Sequence, residues 1–477
     1  MDTTPHSLAP SRSLAHDHAL EQLMLRHLAL EPDDPGPRLA LLRIYFDERR
    51  PREFLQHAEI LSPQVRQEPG SPIWREVAEM GRILMPDQPL FQHPDDIILA
   101  FDPPQPQAPL PRRLGDEEGA THWFADLARQ YRSQCGAGFL AALDLGLARG
   151  GGRPGALYHA RRLSHQVGGA QLCFKREDLL PPDMHLRLAV EGQALLAQRL
   201  GRSTVVTSGH AGPALAAAAA RHGLKAVVYL SREQLERGDA AIAGMRLMGA
   251  QLHTAVSPGP EGPAISALRH VLADPARCLF APGLMAAPEP YPTLVRDCVS
   301  AIGRECRRQC LAQWHREPDL LVARVGANPD ALGLFPPFVQ APGVRLVGVE
   351  VRHGLEAGPD GSDLYARFHL PYTADEEQRR AWLLEAADYP AVRREQAWLQ
   401  ATGRIEHARV DAAAARRLID DCARLEGIVP PIETAQAMAW ACEQARNMDK
   451  EQIVVVLMAE PVGKDLWEIA RTLRMNA

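Results

Sequence analysis

The stretch TVVTSGHAGPALAAAAARHGLKAVVYL (204–230) contains a strand, a turn, a helix and a second strand in immediate succession. Thr204–Thr207 and Ala226–Leu230 are short apolar runs of strand length, and the alanine-rich Ala214–His222 between them is made of strong helix formers. A helix that joins two such strands crosses over the sheet and leaves the strands parallel. The stretch therefore predicts a βαβ unit.

The same alternation of strands and helices runs from about Leu157 to the end of the chain. It predicts an α/β fold with largely parallel sheets flanked by helices. The apolar run IVVVLM near the C-terminus predicts that the last strand lies inside a sheet. The predicted elements are Leu172–Lys175, Val190–Leu200, Thr204–Thr207, Ala214–His222, Ala226–Leu230, Ala240–Met248, Leu320–Val325, Val344–Val351 and Ile453–Met458.

The first hundred residues follow a different pattern. Residues 1–15 are predicted to be a disordered leader, and residues 16–85 a helical module that loosely resembles tetratricopeptide-type hairpins, although no copy repeats at a fixed period. Residues 86–113 are rich in proline and predict a linker with at most one short strand, Ile97–Phe101, before a core at 114–477. The predicted helices are His18–Leu30, Pro37–Asp47, Arg52–Leu61 and Ile73–Leu84, with apolar stripes at Leu41, Ile44 and Tyr45 and at Phe54, Leu55 and Ile60.

Composition excludes several classes of function. The 477 residues carry a net charge of −6 and are 46% apolar, so no basic surface indicates nucleic-acid binding. No apolar run is long enough for a membrane span, and the N-terminus lacks the pattern of a signal peptide. Eight scattered cysteines indicate a reduced, cytoplasmic protein. Cys306 and Cys310 share a helix face near His315, but these residues are too few for a metal site, so none is expected.

Several further motifs resemble tryptophan synthase β-subunits and their fold-type II pyridoxal-phosphate relatives. The matching segments occur in the family's order over roughly residues 120–475. They are GALYHARRLSHQVGGAQLCFKREDL (155–179), GQALLAQRLG (192–201), EPYPTLVRDCVSAIGRE (289–305), LFPPFV (334–339), RLVGVEV (345–351), DYPAV (388–392), ATGRIEHARV (401–410) and RLEGIVPPIETAQAMAWA (424–441).

The resemblance implies a two-lobed core that joins serine to indole by β-replacement. Its cofactor aldehyde would form an imine with a lysine that follows a histidine. A glycine- and serine-rich loop would hold the cofactor phosphate, a loop glutamate would move protons, and a serine after the last strand would face the pyridine nitrogen. Such proteins commonly self-associate, so a homodimer is expected.

The imine-forming lysine of the family has no equivalent in this sequence. His185 is present in DMHLRLAVEG, but the next residue is Leu186, and leucine carries no nucleophile. The chain contains four lysines: Lys175, Lys225, Lys450 and Lys464. Lys464, on a C-terminal loop, is the one plausible substitute.

The phosphate loop is also altered. ARVGANPDALG keeps Gly326 and Gly333 but places Asn328, Pro329 and Asp330 between them. Proline removes a backbone donor, and the aspartate charge would repel a phosphate. Asp330 is interpreted instead as an ordinary residue of a helix N-terminus.

The other two features that the resemblance implies, the loop glutamate and the ring-nitrogen serine, differ as well. The turn after Thr204–Thr207 contains no acidic residue. Glu433 matches a carboxylate position of the family, with either a capping or a functional role. Met458 stands where the ring-nitrogen serine is expected, and a thioether cannot donate a hydrogen bond. The residues of the turn that could bind a small ligand are Ser208, Gly209, His210 and Gly212.

Three hypotheses follow. The first is a non-catalytic tryptophan synthase β-like protein with no cofactor, which binds a small amino-acid-like molecule or, through residues 16–85, a protein partner. The second is an active pyridoxal-phosphate-dependent lyase or synthase with a relocated lysine, Lys464. The third is an enzyme without pyridoxal phosphate that uses His185, His210 and Glu433 as acid/base groups.

Overall fold

The computed structural model describes residues 14–32, 34–65, 72–85, 88–91, 114–134, 137–150, 152–181, 184–256, 262–283, 287–325, 330–350, 399–410, 412–459 and 469. These residues form two compact units. The first lies within Met1–Asp96 and includes Ala137–Leu145, and the second lies within Ile97–Gly136 and Gly146–Ala477. The sequence pattern does not predict that part of a later helix belongs with the N-terminal helices. The predicted strand at Ile97–Phe101 lies outside the described residues.

The N-terminal unit contains four helices, each packed against the next. Leu41, Ile44 and Tyr45 are buried as the apolar stripe predicts, but Ile60 is 45% exposed and does not join the core. Phe54 and Phe91 meet edge to face at a centroid distance of 5.8 Å. The helices are α1 (Leu14–Leu30), α2 (Pro35–Asp47), α3 (Pro51–Val65) and α4 (Pro72–Leu84).

The second unit is built on two sheets, as the α/β prediction requires. Its helices are α5 (Glu117–Gln134), α6 (Ala137–Gly150, which begins in the first unit), α7 (Arg161–Val167), α8 (Met184–Arg199), α9 (Gly212–His222), α10 (Arg232–Arg237), α11 (Ala240–Leu247), α12 (Gly262–Ala273), α13 (Tyr291–Val299), α14 (Ala301–Trp314), α15 (Asp330–Leu334), α16 (Ala412–Glu426) and α17 (Ile432–Arg446). Its strands are β1 (Ala156–His159), β2 (Gln171–Arg176), β3 (Thr204–Ser208), β4 (Lys225–Leu230), β5 (Gln251–Thr254), β6 (Cys278–Phe280), β7 (Leu320–Val325), β8 (Arg345–Glu350), β9 (Glu406–Arg409) and β10 (Ile453–Met458).

The larger sheet has six strands in the order β1-β2-β10-β7-β8-β9. All neighbours are parallel except β1 and β2. The last strand, β10, lies between β2 and β7 and is fully buried, so the prediction that it returns to the core is confirmed. Helices α7, α16 and α17 cover one face of this sheet with a continuous apolar cluster.

The smaller sheet has four parallel strands in the order β5-β4-β3-β6. The βαβ unit predicted from residues 204–230 is present as β3, α9 and β4, with Thr204 paired to Lys225 and Ser208 to Tyr229. Ligand sites of open parallel sheets lie at the carboxyl ends of the strands. The candidate site is therefore expected at those ends.

Among the helices that the structure describes, none combines the length and the apolar character needed to cross a membrane.

Candidate functional site

Leu186 lies in the first turn of α8, and its side chain is buried with 3% exposure. It packs against Gly283, which follows β6 and adopts a φ of +72°. A Cβ atom at Gly283 would overlap with Leu186 Cδ1 and Val190 Cγ1. The Leu186 side chain therefore fills the space beside Gly283, which has no side chain. Position 186 carries a buried apolar side chain and no amine.

Three of the four lysines are described, and two of them lie at the wrong ends of strands. Lys225 begins β4, and Lys450 precedes the first residue of β10; both are exposed. A strand rises about 3.3 Å per residue, so the backbone of Lys225 lies roughly 16 Å from the carboxyl end of β4, and Lys450, three residues before β10, lies farther still from the carboxyl end of that strand. Neither amine can serve a site there. Lys464 lies outside the described residues.

Lys175 is described and fully buried, but each of its three donors is used. Its Nζ donates to the Gly155 carbonyl oxygen at 2.6 Å, to Glu305 Oε2 at 2.8 Å and to Gln309 Oε1 at 3.2 Å. Arg153 completes the cluster by donating from Nε to Glu305 Oε1 at 2.7 Å. The amine of Lys175 is thus a structural cation that ties β2 to α14.

The carboxylate of Glu305 is held charged by these two cations. Burial by itself would raise its pKa, but Lys175 and Arg153 more than offset burial, so the pKa of Glu305 lies below its usual value. Glu177 receives a bidentate pair from Arg153 at 2.7 and 3.0 Å. The cluster contains two cations and two carboxylates and is internally neutral, which is how buried charges are tolerated.

The turn after β3 forms as the glycine spacing predicts. Gly209 opens a short 3₁₀ turn with a φ of +56°, and α9 begins at Gly212. Gly212 is also a packing glycine, because a Cβ there would lie 2.7 Å from Met245 Sδ and 2.8 Å from Val228 Cγ1. Ser208 is half-buried at the carboxyl end of the strand. The side chain of His210 lies outside the described part of the chain, and His185 is half-buried on α8.

Two buried polar groups lie on the same elements, and the sequence does not single them out. Gln193 on α8 accepts a hydrogen bond from the Gly283 N–H at 3.0 Å through Oε1. Its Nε2 and the Oγ1 of Thr207 on β3 have no hydrogen-bond partner within the described ranges, and both residues are fully buried. Such groups are costly to bury unless something pairs with them, so they are candidate contacts for a polar ligand.

The residues predicted as a phosphate loop are only partly described. Gly326, Asn328 and Pro329 lie outside the described ranges, and Asp330 begins α15. Gly333 is accounted for by packing, because a Cβ there would lie 2.8 Å from Ile302 Cδ1 and 2.9 Å from Val299 Cγ1.

The larger sheet carries charged residues at its carboxyl edge. Met458 pairs with Arg176 in the neighbouring strand β2, and on its other side Val456 pairs with Val322, two residues before Arg324. Met458 is fully buried in the apolar cluster under α17.

Glu433 lies in the first turn of α17, and Arg324 donates from Nη1 to its carboxylate. Both residues are less than a tenth exposed. The sequence pattern singles out Glu433 as a candidate residue but not Arg324. A single arginine in the otherwise apolar strand LLVARV was the signal that could have identified it.

The cysteines of the described residues are buried. Cys306 and Cys310 are both fully buried on α14, whereas His315, at the C-cap of that helix, is exposed. Within the described ranges, one group of His, Glu and Asp side chains lies close enough together to hold an ion; its members are His27, Glu31 and Asp34, at the surface of the N-terminal unit.

Residues 148–459 match the family model described as pyridoxal-phosphate dependent enzyme. The tryptophan synthase beta chain of Chromobacterium violaceum is 37% identical over 336 residues, which cover 67% of this chain and 84% of that relative. The chain belongs to the pyridoxal-phosphate-dependent enzyme family.

Two further relatives give the same result. The tryptophan synthase beta chain of Acinetobacter baylyi is 38% identical over 349 residues, covering 70% of this chain and 87% of the relative. That of Bordetella petrii is 35% identical over 339 residues, covering 67% and 84%. The predicted resemblance and the predicted fold class are confirmed.

The described residues do not fit an imine-bound pyridoxal phosphate. An imine requires an amine at the site, and position 186 carries a buried leucine while Lys175 is sealed in an ion cluster. At the carboxyl end of β10, the buried thioether of Met458 cannot donate a hydrogen bond, and on β7 Arg324 is paired to Glu433.

Proposed function

We propose that this chain is a tryptophan synthase β-like protein without imine chemistry, which binds a small amino-acid-like molecule. The observation that carries the proposal is the burial of Leu186 against Gly283 at the position where the family resemblance implies a lysine. A packed leucine cannot hold an aldehyde cofactor covalently, nor can it pass that cofactor to an amino acid.

The binding part of the proposal rests on Gln193 and Thr207. Each has a fully buried polar atom without a partner in the described part of the chain. Thr207 lies near the carboxyl end of β3, and Gln193 contacts Gly283, which follows the carboxyl end of β6. Burying polar atoms without hydrogen-bond partners costs free energy. A small molecule with a hydrogen-bond acceptor for the Gln193 amide would remove part of that cost. Pockets with a few converging polar groups on an apolar wall are typical of such ligands.

Labelling with pyridoxal phosphate tests the first part. The protein is incubated with one equivalent of the cofactor, reduced with borohydride and digested, and the peptides are weighed by mass spectrometry. We expect no stoichiometric adduct on a single peptide. A stoichiometric adduct on any lysine-containing peptide would overturn the proposal.

Binding of amino acids is tested separately by isothermal titration with L-serine and L-tryptophan. We expect at least one of them to bind to wild-type protein and to bind more weakly to Gln193→Met. If neither compound binds to the folded protein, an amino-acid-like ligand is no longer supported.

The second candidate is an active pyridoxal-phosphate-dependent lyase or synthase with a relocated lysine. It is favoured by the 37% identity that extends over 84% of a tryptophan synthase beta chain. Lys464 is then the residue to test. Under saturating cofactor the purified protein would absorb visible light, and the absorbance would disappear in Lys464→Ala but persist in Lys450→Ala. A colourless protein argues against this candidate.

A protein partner is the other role that we propose for the chain. Residues 16–85 are the expected contact region, because their described helices supply most of an apolar cluster, which Phe91 and Leu145 complete. A pull-down that compares full-length protein with a chain lacking residues 1–85 tests this role, and an unchanged set of bound proteins would contradict it.

A further inference from the structure

The turn between α1 and α2 brings three potential metal ligands together at the surface of the N-terminal unit. His27 lies in the last turn of α1, Glu31 follows that helix directly, and Asp34 is the N-cap residue of α2. One ligand atom from each of these residues lies within 4.8 Å of the other two. The three side chains are between 36% and 70% exposed, so an ion in solution can reach them.

Backbone hydrogen bonds hold the three side chains in place. The Glu31 N–H donates to the His27 carbonyl oxygen at 2.9 Å, which continues the helical bonding and puts the two side chains one helical turn apart. The Asp34 N–H donates to the Glu31 carbonyl oxygen at 3.3 Å. Asp34 Oδ1 accepts from the Gly36 N–H at 2.9 Å, and Oδ2 is the oxygen that faces His27. The turn therefore orders the ligand atoms before any ion binds.

The distances between the ligand atoms fit a tetrahedral ion. Zinc binds imidazole nitrogen and carboxylate oxygen at about 2.0–2.2 Å, so two ligands of a tetrahedral shell lie roughly 3.3–3.6 Å apart. His27 Nε2 is 3.3 Å from Asp34 Oδ2 and 3.8 Å from Glu31 Oε2. Glu31 is the most exposed of the three, so a small rotation of its side chain completes the match.

The charges of the group favour a divalent cation. Two carboxylates converge at this turn, and in the described part of the chain His27 is the one side chain that forms an ion pair with either of them. Carboxylates this close repel each other, and one imidazolium compensates for only one negative charge. A divalent cation compensates for both.

We propose that His27, Glu31 and Asp34 bind one divalent transition-metal ion of the zinc class, with water completing its coordination. Imidazole nitrogen suits zinc, copper and nickel, whereas magnesium and calcium prefer oxygen ligands. The bound ion ties the end of α1 to the start of α2 and stabilises the N-terminal unit by mass action. This site lies outside the proposed ligand site. It departs from the expectation of no metal, which rested on the cysteines of α14 and a nearby histidine.

Zinc titration of the full-length protein tests the proposal. Protein freed of metal by a chelator and kept in a phosphine reductant is titrated with zinc chloride by isothermal calorimetry. We expect one site whose affinity falls at least about tenfold in each of His27→Gln, Glu31→Gln and Asp34→Asn. Asp34→Asn is the sharpest variant, because asparagine caps a helix as well as aspartate does but brings no charge to the ion.

Hydrogen exchange locates the site. Adding zinc should slow the exchange of peptides that cover residues 23–36 in wild-type protein, and it should not do so in the three variants. An excess of magnesium chloride should neither slow this exchange nor displace zinc. Near-ultraviolet circular dichroism confirms that each variant keeps its tertiary structure.

His122→Gln is the matched control. His122 is an exposed histidine of α5, four residues from Glu118 and four from Asp126, but Asp126 accepts hydrogen bonds from Arg129 and Gln130. The His122→Gln variant should bind zinc as wild-type protein does.

Three outcomes would overturn the proposal. The first is zinc affinity that is equal in wild-type protein and Asp34→Asn, and the second is an equal loss of affinity in His122→Gln. The third is exchange of residues 23–36 that does not respond to zinc in wild-type protein. In each case His27, Glu31 and Asp34 would form surface ion pairs only, which contribute little to stability.

Discussion

The side chain of Leu186 occupies the space that Gly283 leaves open by having no Cβ. Leu186 lies on α8 and Gly283 in the loop after β6, almost a hundred positions apart in the chain. A side chain at position 283 would overlap with Leu186. The absence of a Cβ at Gly283 is therefore what allows the leucine to pack there.

Substituting Gly283→Ala should therefore destabilise the protein for two reasons. The new methyl group would overlap with Leu186, and overpacking costs about 1–3 kcal/mol. The φ of +72° adds about 1–2 kcal/mol of backbone strain for a residue with a Cβ. Chemical denaturation should show a loss of roughly 2–5 kcal/mol in the free energy of unfolding.

Gly209→Ala is the matched control, because Gly209 has a φ of +56° and no atom within 4 Å of the added Cβ. Gly209→Ala should lower the free energy of unfolding only by the cost of backbone strain, about 1–2 kcal/mol. In a Leu186→Ala background the cost of Gly283→Ala should fall by the part of the overpacking that comes from Leu186, while the overlap with Val190 Cγ1 remains. Equal costs in both backgrounds would show that the two residues are not coupled.

Lys175 should matter more for stability than any exposed lysine. Lys175→Met leaves Glu305 buried beside one cation instead of two, and breaking a buried pair costs about 3–5 kcal/mol. Lys225→Met, at an exposed strand start, should change the free energy of unfolding by less than about 0.5 kcal/mol. Unfolding by heat and by urea measures both variants. If Lys175→Met and Lys225→Met lowered the free energy of unfolding by equal amounts, the structural role of the buried ion cluster would be contradicted.

Glu191 makes the contact between α8 and α9 sensitive to acid. Its carboxylate accepts from Arg221 Nη2 at 2.5 Å and lies 3.0 Å from His222 Nε2. Burial would raise its pKa, but His222 and Arg221 more than offset burial, so the pKa of Glu191 falls below the usual 4.5. A lowered pKa in the folded state gives stability that is present above the unfolded value and is lost as the pH falls through the folded value.

Hydrogen-exchange protection factors of α8 and α9 peptides, referred to the intrinsic exchange rate at each pH, should accordingly fall below about pH 4.5 in wild-type protein. In Glu191→Gln this acid-induced change should be smaller, and protection at pH 7 should be lower than in wild type. Glu233→Gln, on the exposed helix α10, should behave like wild type. A Glu191→Gln profile that matches wild type at every pH would exclude the carboxylate as the cause.

The buried thiols should be unreactive in the native protein. Burial raises the pKa of Cys422 and of Cys442 to about 12, and it also raises the pKa of Cys173 above its usual value. Titration with a thiol-reactive disulfide at pH 8 should leave all seven described cysteines unmodified for as long as the fold persists. The Cys135→Ser variant should then show almost no fast reaction, whereas denatured wild-type protein should react at eight thiols.

Fast reaction in native Cys135→Ser would mean that one of the buried cysteines is accessible. Mass spectrometry of the modified peptide would identify which one.

The sequence predicted the βαβ unit at 204–230 and the central position of Ile453–Met458 because apolar runs and helix formers act locally. It also identified Leu186, since a missing nucleophile can be recognised from one residue. It could not predict that Gly283 makes room for that leucine, or that Arg324 pairs with Glu433. Those contacts join residues that are distant in the chain, and they depend on which strands become neighbours.

In the N-terminal unit, too, contacts between residues distant in the chain could not be predicted from the sequence. The stripe of Leu41, Ile44 and Tyr45 was predicted from helical periodicity, but the exposure of Ile60 and the contribution of Ala137–Leu145 depend on helix packing. Periodicity gives the apolar face of a helix but not the partner that covers it.

The position of β10 between β2 and β7 also determines when the larger sheet can form. β2 ends at residue 176 and β10 begins at residue 453, yet the two are direct neighbours. During synthesis, β1 and β2 leave the ribosome long before their central partner exists, and pairing across such a separation in sequence is slow. The six-stranded sheet therefore cannot close until β10 has been synthesised, and until then β2 and β7 present open edges on which chaperones or a second nascent chain can act.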